Sequence, residues 1–125
     1  MDIRKLQKAV VTALEDIKAR DIEVYDVKHL TSLFDRVVIA SGDSARQTKA
    51  LARNVQDNAR RLGARVYGLE GGDTGEWVLV DLGDIVVHIM LPTVRAHYNL
   101  EELWNQPKPR APRKRPARGA STESR

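Results

Sequence analysis

A chain of 125 residues, 42% apolar and 30% charged, suits one domain with at most a short appendage. It has no cysteine, which excludes disulfides, thiolate catalysis and cysteine-ligated zinc, and leaves folding to a single apolar core. The net charge of +4 is unevenly placed: residues 107–125 carry seven basic residues against Glu123 alone, whereas residues 1–106 carry fourteen basic and sixteen acidic. The expected organisation is therefore a mildly acidic domain over 1–106 and a basic, proline-rich tail over 107–125, expected to be disordered. Such a tail either aids solubility or is drawn to phosphate without reading sequence.

The N-terminal run from Met1 to Lys5 leads directly into an amphipathic pattern without an apolar h-region, and the longest apolar runs are strand-length. A soluble, cytoplasmic protein with no secretory signal and no membrane span is expected. Ile3, Leu6, Val10, Leu14 and Ile17 recur at helical spacing, which predicts one helix over 2–20. Ile22 to Val27 reads as a short strand, and Val37-Val38-Ile39-Ala40 as a buried one.

After Gly42, Asp43 and Ser44 are both good N-caps, and Ser44 with Gln47 forms a capping box. The helix they open is expected to reach Leu62 and stop at Gly63. Its apolar face is Thr48, Leu51, Ala52, Val55, Ala59 and Leu62, and its opposite face holds Arg46, Lys49, Arg53 and Arg60. Arg65 to Tyr67 reads as a strand, Gly68 to Gly75 as a loop, and 76–81 and 84–91 as two strands joined at Leu82-Gly83. Pro92 suits the first position of a helix over Thr93 to Tyr98, and Asn99 with Glu102 suits a last short turn. The order is helix, two strands, helix, three strands, short helices: a single α/β domain with a mixed sheet packed by helices.

Catalytic signatures are weak. The run Glu70-Gly71-Gly72-Asp73-Thr74-Gly75 leads into a strand, whereas a phosphate loop opens a helix. Ser41-Gly42-Asp43-Ser44 is the stronger candidate, because a Gly-Ser turn opening a helix is how nucleotidyltransferases hold a nucleotide phosphate. Those enzymes also need two carboxylates on a neighbouring strand for magnesium, and the nearest acidic pair, Asp81 and Asp84, flanks a turn. A nucleotide-binding enzyme of that kind is the alternative reading; helix capping is the preferred role for Asp43 and Ser44. His29, His88 and His97 stand at no metal-binding spacing.

The hairpin is more informative. A two-residue turn at Leu82-Gly83 would set Trp77 opposite His88 and Asp81 opposite Asp84. One face would then hold Trp77, Leu79, Asp81, Asp84, Val86, His88 and Met90, and the other the aliphatic set Val78, Val80, Ile85, Val87 and Ile89. A bulged three-residue turn would instead invert this pairing. Trp77, His88, Met90, Arg95 and Tyr98 are expected to cluster at one edge, with residue types enriched at protein interfaces. The aspartates at the turn would suit a basic partner.

Three segments together carry a resemblance. Thr31-Ser32-Leu33-Phe34-Asp35 with Val38-Ile39-Ala40-Ser41-Gly42, the stretch from Gly75 to His88, and the stretch from Val94 to Trp104 resemble the ribosomal silencing factor (Iojap-like) family over nearly all of residues 2–104. The resemblance implies a nucleotidyltransferase-like α/β fold without catalytic carboxylates, no cofactor and no turnover. It further implies binding to large-subunit ribosomal protein fourteen, blockage of subunit joining in starvation or stationary phase, and a homodimer when free. By position it carries a partner-binding role to Trp77, Asp81, His88, Met90, Arg95 and Tyr98, with Pro92 near that surface. The tail lies outside the shared pattern, and a weak ribosomal RNA contact is the role considered for it.

Overall fold

In the computed structural model, which describes residues 2–104, the expected element order is found. Helix α1 (Ile3–Asp16) buries Leu6, Val10, Ala13 and Leu14 on one stripe, and Asp2 caps it by accepting the Arg4 N–H at 2.9 Å. Strand β1 (Arg20–Asp26) follows and turns back through residues 27–35 into β2 (Arg36–Ser41). Helix α2 (Ala45–Arg61) buries Thr48, Leu51, Ala52, Val55 and Ala59. Each fully buried leucine or valine on it contributes roughly 1.5–3 kcal/mol relative to exposure.

Both ends of α2 are closed by the residues the sequence singles out. Ser44 Oγ accepts the Gln47 N–H at 3.1 Å, while Gln47 Oε1 accepts from Asp43 N–H, one residue earlier than the usual capping box. At the other end Gly63 takes φ 91°, its N–H reaching the Arg60 carbonyl and that of Ala64 the Ala59 carbonyl, a Schellman closure. Leu62, expected on the apolar face, is the C-cap residue and is 37% exposed.

The chain then forms β3 (Gly68–Glu70), β4 (Trp77–Asp81), β5 (Ile85–Met90), α3 (Pro92–Tyr98) and α4 (Leu100–Trp104). The third strand thus lies just after the predicted Arg65–Tyr67, inside the segment read as a loop. The five strands form one mixed sheet in the order β1-β2-β5-β4-β3, parallel only between β2 and β5. Those two central strands are buried along nearly their whole length, as continuous apolar runs require.

The hairpin register differs from the expected one. Asp81 pairs with Val86, Leu79 with His88 and Trp77 with Met90, so the turn is centred on Gly83-Asp84. Gly83 takes φ 86°, a conformation glycine adopts without a Cβ clash, which places it first in the turn. The shift is two residues, so the residues within the strands keep the faces the alternation predicts, while Asp84, expected on the face of Trp77 and His88, lies in the turn.

Two apolar clusters sandwich the sheet. Helices α1 and α2 cover one face, with Val38, Ala40, Val78, Val80, Ile85, Val87 and Ile89. Val27, Val37, Ile39 and Met90 form a smaller cluster on the other face, under Val94, Leu100, Trp104 and Phe34. No helix among the described residues is long and apolar enough to cross a membrane.

Candidate partner-binding face

Helices α3 and α4 are short, so they cover only part of the second sheet face. Leu79, Asp81, Val86 and His88 are left as the floor of an open groove of about 610 Å³. Leu33 and Phe34, from the β1–β2 loop, stand on its wall with Tyr67, Glu70 and Gly83. Leu33 is 79% exposed and Tyr67 60%, a large apolar display for two loop residues. The lining has two carboxylates, Glu70 and Asp81, and no lysine or arginine.

An aromatic file extends the groove towards α3. Trp77 donates its indole N–H to Nδ1 of His88 at 3.0 Å, and its ring lies 4.9 Å from that of Tyr98. Tyr98 in turn meets His97 edge-on at 4.9 Å. His88 is 9% exposed, and burial pushes its pKa down to about 4, so the ring is neutral and Nδ1 is free to accept the indole proton. Asp81 accepts the Gly83 N–H at 2.9 Å, which fixes the carboxylate at the turn.

The residues expected at the partner surface therefore fall into two groups. Trp77, Asp81, His88 and Tyr98 are brought together along the groove and its extension, and Pro92 is exposed at the start of α3. Met90 is fully buried in the smaller cluster. Arg95 is 7% exposed and faces inward: it donates to Glu101 Oε2 at 2.5 Å, to the Asp21 carbonyl at 2.7 Å and to Ser41 Oγ at 3.0 Å, with Glu23 at 3.8 Å. Burial alone would raise the Glu101 carboxyl, but the Arg95 hydrogen bond and charge outweigh it and hold the group below its usual range. Arg95 is thus a bolt that pins α3 and α4 to β1 and β2.

Leu33, Phe34 and Tyr67 are groove residues that sequence reasoning did not assign to the surface, whereas Leu79 and Val86 were expected on the hairpin face of Trp77 and His88 and do line the groove. For Leu33 the signal was a large apolar residue in a polar connection, whereas Tyr67 ended the stretch read as a strand and lies in the loop before β3. The Ser41–Ser44 turn is engaged structurally: Ser41 with Arg95, Ser44 as the α2 cap, and Asp43 in an ion pair with Arg20 at 3.0 Å. Asp81 and Asp84 do not alternate along one strand, as a magnesium pair would require.

Residues 1–125 match the family model described as ribosomal silencing factor during starvation. A ribosomal silencing factor of Chromobacterium violaceum is 52% identical over 109 residues, covering 87% of this chain and 89% of the relative. One from Bacillus subtilis is 39% identical over 104 residues, covering 83% and 88%. A crystal structure of a protein from Chromobacterium violaceum superimposes with a TM-score of 0.83 at 52% identity, over 88% of this chain and 92% of that one.

Proposed function

The chain belongs to the ribosomal silencing factor family, and on that premise we propose that it binds the large ribosomal subunit through large-subunit ribosomal protein fourteen and sterically blocks subunit joining. Translation is thereby repressed in starvation or stationary phase. The observation that carries the reading to a site is the groove: an apolar floor, exposed leucine and aromatic walls, two carboxylates and no cation. A lining of that kind suits a basic protein surface with an apolar anchor, and ribosomal proteins are basic.

In this reading Trp77, Asp81, His88 and Tyr98 contact the partner, Pro92 borders it, and Met90 and Arg95 hold the contact residues from beneath. The action is occupancy of a bridge site by mass action, with no cofactor and no chemical step. Away from the ribosome, a second copy covering the exposed Leu33 and Tyr67 would give the homodimer expected of the family.

Co-sedimentation of the purified protein with separated subunits tests the proposal. Binding to the large subunit alone, with fewer joined ribosomes when small subunits are added, is expected. Equal binding to both subunits, or binding to neither, overturns it.

A further inference from the structure

Charge is segregated on this domain. Residues 45–65 hold six basic residues against Asp57 alone, whereas the rest of residues 1–106 holds eight basic and fifteen acidic. Arg46, Lys49 and Arg53 are exposed on the outer face of α2 and line a depression of about 420 Å³ with Ala50. None of the three is in an ion pair among the described residues. A net-acidic body that keeps three adjacent cations unneutralised on one helix face presents a local positive field.

We propose that the outer face of α2 is a second contact surface, fitted to the sugar-phosphate backbone of structured RNA. Helical rise sets the three side chains about 4.5 and 6 Å apart along the axis, so each can meet a separate phosphate. Arginine guanidinium pairs with phosphate through two parallel hydrogen bonds, and lysine serves as a point charge. The apolar side of α2 is packed on the sheet, so the outer face offers no hydrophobic insertion of the sort that seats a helix in a lipid interface. It likewise lacks an aromatic anchor of the kind that carries binding energy between proteins. A surface of cations around a single small residue fits a polyanion read by charge. The surface lies across the sheet from the groove, so each can be filled while the other is occupied. The inference stands independently of what the groove binds.

The test is binding of the full-length protein to a short mixed-sequence RNA duplex, followed between about 50 and 200 mM salt. Arg46→Gln, Lys49→Gln and Arg53→Gln are combined in one variant; all three sites are exposed, and glutamine keeps the helix. Loss of about tenfold or more in affinity at low salt is expected, with a log–log salt slope shallower by about 2 to 3. A second full-length variant, with the basic residues of 107–125 changed to glutamine, is expected to retain the part of the slope due to α2. No duplex binding by the parent protein overturns the proposal. So does a triple variant that binds with the parent's affinity and slope, which would assign the whole effect to the tail. Matching thermal unfolding of variant and parent confirms that charge alone was changed.

Discussion

Trp77 and His88 are joined diagonally across the β4–β5 pair: each faces a different residue in the ladder, Met90 and Leu79 respectively, yet the indole N–H reaches the imidazole Nδ1 at 3.0 Å. The bond works only while the imidazole is neutral, because a protonated Nδ1 has no lone pair to offer. Burial keeps it neutral down to about pH 4.

That relationship gives a pH prediction. The folded pKa of His88, about 4, lies below the unfolded value near 6.5, so between these values the unfolded chain binds more protons. Stability attributable to His88 is therefore full above pH 6.5 and falls as the pH drops towards 4, by on the order of 3 kcal/mol in total. Urea unfolding from pH 8 to 4 should show this loss in the parent and a smaller one in His88→Gln; parallel curves would refute it.

At the groove's aromatic extension, Trp77→Ala or Tyr98→Ala should each weaken large-subunit binding by about 2 kcal/mol or more if these rings are the anchors. Tyr98 is 55% exposed, so its variant isolates contact from folding. Parental affinity in both variants would remove the pair from the site.

For Arg95→Met, the expected outcome is uncoupling of the C-terminal helices from the sheet. The change leaves Glu101 without its cation and removes the donors to Ser41 Oγ and the Asp21 carbonyl, a loss of about 3 kcal/mol. Amide hydrogen exchange should accelerate first over 92–104. Unchanged protection there would mean that apolar packing under Trp104 and Val94 suffices.

Two glycines make a graded comparison. A Cβ at Gly83 would come within 2.7 Å of the Tyr67 ring, which is exposed and free to swing, so Gly83→Ala should cost about 1–2 kcal/mol, chiefly for its positive φ. A Cβ at Gly71 would lie 1.9 Å from the Trp77 carbonyl oxygen, which is backbone and cannot yield. Gly71→Ala should lower the unfolding midpoint further than Gly83→Ala; the reverse order would contradict the geometry.

What the sequence made legible follows from periodicity and punctuation. The aliphatic set from Val78 to Ile89 alternates without a break, so the buried face of the hairpin follows even from a register two residues out. Ser44 and Gly63 bracket α2 because capping is local chemistry. Strand β3 was not legible: Gly68-Leu69-Glu70 has little strand preference of its own and owes its conformation to pairing with β4. Arg95 illustrates the same limit at the site. Its residue type suggests a surface, but its partners come from β1, β2 and α4, up to 74 positions away, and tertiary contact alone turns it inward. Leu33 and Tyr67 carry no period, and only the fold brings them to one groove.

The parallel β2–β5 ladder has a kinetic meaning as well. Each of its pairs joins positions 49 apart in the chain, such as Arg36 with Ile85, while the neighbouring pairs β1–β2 and β4–β5 close through nearby turns. The hairpins close short loops, whereas the pairing that unites them closes the longer one and costs more loop-closure entropy. A chain that ends before Ile85 lacks β5, hence lacks Val86 and His88 of the groove floor and Met90 as a seat for α3. During synthesis the groove, and with it the proposed binding surface, is therefore a late product, assembled only after most of the domain has been made.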